Sequence, residues 1–201
     1  MISQTALIGT LIAGFATGAG ALPIFFKKNF SQKSLELGLS YSAGIMLIAS
    51  FTSLLLPAFE ESKQIFTNGL AFPITSLSFI VGYLFITGVH HVMPHGHVLK
   101  KEKAREGLKL SKMALVVLAI CLHNFPEGLA VGVGFGAGND TEGMSLALAI
   151  AIQNLPEGLV VAIGILNEGA SKLKAFGWAL LSGLVEPLAA LLGFFSVGLS
   201  T

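Results

Sequence analysis

The sequence predicts an all-α fold, a polytopic bundle of six membrane-spanning helices in one transmembrane domain over residues 1–201. Three observations predict it. The first is composition. Of 201 residues, 53% are hydrophobic and only 11% charged, against roughly 25% charge in a soluble domain, and the mean hydropathy is +0.79. The second is length: the apolar residues collect in six segments, each near the ~20 residues that cross a bilayer. The third is charge placement. Eleven of the twelve Lys and Arg residues fall in three alternate loops, an asymmetry that one misassigned span would scramble. The 24 glycines fit the same picture, because small residues let helices in lipid approach closely.

Span one is Thr5–Phe26. It has no basic stretch ahead of it and is too long for the apolar core of a signal peptide, so it is expected to remain as structure. Lys27, Lys28 and Lys33 separate it from span two, Leu37–Phe59, and Lys63 alone lies in the next loop. Span three is Leu70–Met93, followed by the longest polar stretch, Pro94 to Ser111. That stretch carries Lys100, Lys101, Lys103, Arg105 and Lys109, and Lys112 opens span four, Lys112–Gly136. Span five is Gly143–Leu166; Lys172 and Lys174 lead into span six, Lys174–Leu199. The positive-inside rule places the three basic loops in the cytoplasm and the N-terminus outside. The single Cys121 lies in an apolar run and cannot form an internal disulfide.

Two stretches break the apolar pattern in the same way. "HNFPEG" occupies 123–128 in span four, and "QNLPEG" occupies 153–158 in span five, thirty residues later. On a helix, positions i and i+4 share a face. His123 therefore lies one turn before Glu127, and Gln153 one turn before Glu157; Asn124 and Asn154, three before the glutamates, reach the same side. If the helices face each other, they enclose one imidazole, two carboxylates and three amides. That mixture suits borderline divalent metals such as zinc, iron, manganese or cadmium, and two carboxylates balance the charge of one such ion. Pro126 and Pro156 lack an N–H and free the carbonyls of Leu122 and Ile152. Freed carbonyls are tolerated in a membrane where the helix faces protein or a wet cavity. A single glutamate of this kind can be a neutral acid bonded to a neighbouring carbonyl, but two matching constellations are hard to explain by packing, and ionisable groups within a membrane point to function.

"HNFPEG" followed by "QNLPEG" in successive spans resembles the signature of the ZIP (Zrt-, Irt-like protein) family of divalent metal transporters, nearest to its GufA-like bacterial branch. The resemblance extends over essentially the whole chain, through "AGIMLIASFTSLLLPAFEE" in span two, "MPHGH" after span three and "LSGLVEPLAALLG" in span six. It implies a binuclear metal site at mid-membrane on spans four and five. One half would use Met46, His123, Glu127, Gln153 and Glu157. The other would use Asn124, Glu127, Asn154, Glu157 and Glu186, with the two glutamates bridging. Glutamine stands at 153 where many members have histidine, which makes the site harder in ligand character. The resemblance implies two bound and transported ions per chain, Zn²⁺ foremost with Cd²⁺, Fe²⁺ and Mn²⁺ as further candidates, and no resident cofactor. It implies passage into the cytoplasm by alternating access, in the plasma (inner) membrane. It also implies eight spans. This chain ends at Thr201 with span six, so the last two are expected to be absent by truncation, or replaced by an assembly such as a homodimer. The expected partners are divalent metal ions and the lipid bilayer, with no nucleic acid.

The residues themselves support Glu186, the only charge within the apolar body of span six, which precedes Pro187 and so repeats the pairing of glutamate with proline. Met46 rests on the resemblance alone, since a methionine in a membrane helix is usually packing. His90, His91, His95 and His97 cluster after span three. They read either as a solvated interfacial group or as a relay where ions leave; His95 and His97 match the family's "PHxH" pattern. Ser53 and Glu60 follow Met46 at seven-residue steps and would share one face of span two, as pathway residues or, for Glu60, as a solvated helix end. No enzyme is expected: a zincin hydrolase would show H-E-x-x-H, whereas Asn124 stands beside His123 and no second histidine follows on that helix. No phosphate-cradling loop is present, so transport would be secondary or downhill. A membrane protein that binds or senses metal without moving it is the alternative, and flux into vesicles separates the two.

Overall fold

The computed structural model describes residues 2–27, 30–66, 69–92 and 112–200. Its elements are α1 (Gln4–Ala21), α2 (Pro23–Phe26), α3 (Gln32–Ala49), a π-helical segment (Ser50–Leu55), α4 (Leu56–Ile65), α5 (Ala71–Val92), α6 (Lys112–Gly136), α7 (Asp140–Asn167), α8 (Lys172–Gly183) and α9 (Val185–Ser200). The described residues contain no strand. Five stretches are long and apolar enough to cross a membrane: Gln4–Phe26, Gln32–Ile65, Ala71–Gly88, Asp140–Asn167 and Lys172–Val197. With α6, whose 25 residues extend about 37 Å at 1.5 Å per residue, they form the all-α bundle expected from the sequence.

Helix ends follow local chemistry. The side chains of Ser3, Ser31 and Ser171 accept from the backbone N–H of Ala6, Ser34 and Lys174, three residues on in each case. Asn139 accepts from the N–H groups of Thr141 and Glu142 at the start of α7, so donors with no partner inside the helix are satisfied. Between α6 and α7 the chain turns within three residues. Gly138 supplies the positive φ of 84° needed there, and the short link makes the two motif-bearing helices antiparallel neighbours.

Two spans depart from plain α-helix. Span two contains the π-helical segment, whose i→i+5 turns each carry more residues than an α turn. Positions beyond it are rotated relative to an unbroken helix, so the seven-residue stepping from Met46 through Ser53 to Glu60 does not define one face. Span six changes helix at Leu184, and Glu186 lies in the first turn of α9. By contrast, α6 and α7 run through Pro126 and Pro156 without interruption.

The most extensive helix pairs are α1 with α7 and α6 with α9, and both are built on glycine. A Cβ on Gly158 would strike the Thr17 backbone, and one on Gly20 the Leu155 backbone. In the other pair, a Cβ on Gly128 would strike the Glu186 backbone and one on Gly132 the Ala190 backbone. The asparagines that precede Gly158 and Gly128 bond in parallel fashion, one to α1 and the other to α8 just before α9 begins. Asn154 Nδ2 donates to the Ala13 carbonyl at 3.1 Å, four residues before Thr17; Asn124 Nδ2 donates to the Ser182 carbonyl at 3.0 Å, four residues before Glu186.

Polar groups share the interior with two apolar clusters, and many large apolar side chains face outward. The largest fully buried side chains include Gln153, Glu186, Asn124, Asn154, Thr17, Ser42 and Ser182, while Phe72, Phe79, Tyr83, Phe85, Leu188 and Phe195 are exposed. Polar groups are usually outside in water. A small-residue and polar interior inside an apolar shell is what lipid as solvent selects.

Candidate metal centre

The polar interior is concentrated where α3, α6, α7 and α9 meet. His123, Glu127 and Glu157 each offer a ligand atom, and these atoms lie within 4.8 Å of one another. His123 Nε2 is 3.6 Å from Glu127 Oε1 and 3.6 Å from Glu157 Oε2. The i,i+4 spacing on α6 brings histidine and glutamate together, and the antiparallel α6–α7 turn brings Glu157 opposite. The His123 side chain is 46% exposed against 11% and 15% for the carboxylates, so the group is open at the imidazole and closed behind the acids.

Neighbouring polar groups fix the carboxylates. Gln153 Nε2 donates to Glu127 Oε1, and the Ser42 hydroxyl donates to Glu157 Oε1 at 2.7 Å. Asn154 Nδ2 donates to Glu186 Oε1 at 2.7 Å as well as to the Ala13 carbonyl, which draws Glu186 of α9 toward α7. Asn124, Gln153, Asn154 and Glu186 are all at most 1% exposed.

Six buried side-chain atoms find no hydrogen-bond partner among the described residues: Thr17 Oγ1, Asn124 Oδ1, Glu127 Oε2, Gln153 Oε1, Asn154 Oδ1 and Glu186 Oε2. All are oxygens. Buried polar atoms are ordinarily paired, and an orphan costs about 1–3 kcal/mol. Five of the six are carbonyl or carboxyl oxygens of Asn124, Glu127, Gln153, Asn154 and Glu186, atoms that need no proton to act as ligands. Oxygen ligands of this kind suit hard to borderline divalent ions.

Of the residues expected from the sequence, the structure brings together His123, Glu127, Glu157 and Gln153, joins Asn154 to Glu186, and ties Asn124 to the Ser182 carbonyl. Met46 is half-buried on α3, one turn beyond Ser42. Glu60 is exposed and pairs with Lys63 three residues on, as a solvated helix end does, and Ser53 falls within the π-helical segment. His91 is exposed at the end of α5; His95 and His97 lie outside the described residues. Sequence reasoning missed Ser42, Thr17 and Ser182. A signal for Ser42 was available, since Gly38, Ser42 and Met46 follow at four-residue steps through an apolar run.

A bundle of helices long and apolar enough to cross a membrane, with an imidazole–carboxylate group between them, defines a membrane protein with a metal-type donor set. Comparison with known proteins specifies the family. Residues 94–201 match the model described as ZIP Zinc transporter. Among curated relatives, "Zinc transporter GufA" of Myxococcus xanthus is 41% identical over 196 residues, 97% of this chain and 77% of the relative. "Zinc transporter ZupT" of Chlorobaculum parvum is 39% identical over 196 residues, covering 92% and 73%, and that of Streptococcus mutans is 38% identical over 201 residues, covering 95% and 74%. The chain belongs to the ZIP zinc transporter family, whose named members are transporters and not enzymes.

Proposed function

We propose that this chain carries zinc across the membrane into the cytoplasm, through a site at which His123, Glu127, Glu157 and Gln153 hold one ion and Asn124, Asn154 and Glu186 with the same two glutamates hold a second. The observation that carries the reading is the convergence of one imidazole and two carboxylates within 4.8 Å on adjacent antiparallel spans. The unpartnered oxygens of Asn124, Asn154 and Glu186 support the second position. Met46 completes the first position as a soft ligand, and His95 and His97 receive ions at the cytoplasmic exit. The inward direction rests on the family resemblance; the charge asymmetry supplies the orientation, with the three basic loops and the His95/His97 stretch on the cytoplasmic side. While bound, one divalent cation is neutralised by the two carboxylates of Glu127 and Glu157, and Glu186 supplies a third acid for the second position. The site is then reached from each side in turn, in the plasma membrane, and it admits Cd²⁺, Fe²⁺ and Mn²⁺ as well as Zn²⁺.

The test is uptake of radioactive or dye-reported metal into proteoliposomes containing the purified chain. Accumulation of Zn²⁺ above protein-free vesicles is expected. A chain that binds zinc yet moves none of Zn²⁺, Cd²⁺, Fe²⁺ and Mn²⁺ would be a sensor or store, and the transport reading would fall.

His123→Ala is expected to weaken zinc uptake without abolishing it and to shift preference toward Mn²⁺. The imidazole is the only nitrogen ligand in the cluster, and its loss leaves an oxygen site that favours harder ions. Competition of Mn²⁺ against Zn²⁺ uptake measures this. An unchanged metal order would remove His123 from the ligand set.

A further inference from the structure

Hydroxyls in membrane helices usually bond the carbonyl one turn back on their own helix. On span two, Ser40 does so, donating to Glu36 O at 2.8 Å, and Thr52 does so, donating to Ile48 O at 2.9 Å. Ser42 behaves differently. Its hydroxyl crosses to α7, where two acceptors stand: Glu157 Oε1 at 2.7 Å and the Gln153 carbonyl at 3.0 Å. The residue is 1% exposed, so both bonds are closed off from bulk water. One turn earlier, Gly38 allows the close approach, for a Cβ there would lie 3.3 Å from Pro156 Cβ. Gly38 and Ser42 thus seat α3 against the proline turn of α7.

We infer that Ser42 is a positioning residue for zinc binding: it holds Glu157 Oε1 so that Glu157 Oε2 is presented toward His123. The inference rests on the metal-site reading above and adds a residue on a third helix to it. Two features of the geometry support it. First, the two bridging acids are treated alike, each with its Oε1 held by a neutral donor, Glu127 by Gln153 and Glu157 by Ser42. A free glutamate side chain would lose rotamer entropy on binding an ion; one already held has lost it beforehand. Second, Ser42 has a single proton and two acceptors. The second acceptor, the Gln153 carbonyl, lies on α7 one turn before Glu157, so the hydroxyl is seated against α7 and stays within reach of Glu157 Oε1 with an ion bound.

Zinc titration of the purified full chain tests this, comparing wild type with Ser42→Ala, Ser42→Thr and, as control, Ser40→Ala. Loss of one hydrogen bond to a charged group predicts roughly tenfold weaker binding in Ser42→Ala. Ser42→Thr keeps the hydroxyl and is expected to bind within about threefold of wild type. Ser40→Ala, whose hydroxyl serves only its own helix, is expected to match wild type. Gel-filtration profiles and metal-free melting report whether each variant is folded. Wild-type affinity in Ser42→Ala overturns the inference, as does a folded Ser42→Thr that binds as weakly as Ser42→Ala. If the wild-type chain itself binds no zinc, the reading of the site fails and the role of Ser42 with it; zinc binding indifferent to Ser42 removes this inference alone.

Discussion

Alanine at Glu127 or at Glu157 is expected to abolish zinc uptake, and each alone should suffice. The two carboxylates supply the charge that lets a divalent ion sit inside the bundle. Both approach His123 Nε2 at 3.6 Å, and both belong to each of the proposed ion positions. Removing one leaves the ion half-neutralised in a buried setting, at a cost of about 3–5 kcal/mol, or at least ~100-fold in affinity. The damage spreads beyond the ion. Without Glu127 the Gln153 amide loses its acceptor, and without Glu157 the Ser42 hydroxyl keeps only the Gln153 carbonyl. Uptake into proteoliposomes, normalised to the amount of folded protein, measures the effect. Wild-type flux in either variant would refute the assignment of bridging ligands.

The second large effect lies in the glycines that follow those glutamates. Gly128→Ala and Gly158→Ala are expected to destabilise the chain by about 3 kcal/mol or more. A Cβ at 158 would collide with the Thr17 backbone, and one at 128 with the Glu186 backbone. Backbone cannot swing aside as a flexible side chain can, so the helices must separate. In lipid, helices hold together by close packing and not by expulsion from water, so separation forfeits the contact area of α1 with α7 or of α6 with α9. Gly164 is the matched control, on α7 itself with nothing within 4 Å of its added Cβ. Thermal melting in detergent should rank Gly164→Ala near wild type and the two others far below. Equal melting of Gly158→Ala and Gly164→Ala would show that the close approach is dispensable.

The spans were legible because bilayer thickness dictates their length. Thr5–Phe26 corresponds to Gln4–Phe26, Lys112–Gly136 coincides with α6, and Gly143–Leu166 lies within α7. The central ligands were legible because a polar side chain within a membrane is conspicuous and the four-residue spacing sets its face. The π-helical turn at Ser50–Leu55 was hidden, for its sequence is apolar and unremarkable to an α-periodic reading. So was the change of helix at Leu184. Helix partners were hidden as well. Where the surrounding solvent is as apolar as the side chains, no hydrophobic stripe marks the contact face, and α1 carries its interface in scattered Ala, Gly and Thr17. Ser42 escaped notice for a related reason: a serine in a membrane helix normally satisfies itself.

The two asparagines tie together parts of the molecule that would otherwise be separate. Each is planar, with its nitrogen fixed to a backbone carbonyl of the neighbouring helix, Asn124 to Ser182 and Asn154 to Ala13, and its oxygen left at the opposite end of the same rigid group. An aspartate of the same shape would set oxygen against oxygen at the helix junction. Where an ion takes that free oxygen, as proposed above, one amide carbon joins the ion position to the α6–α8 or α7–α1 junction, so site and helix seam share a single group.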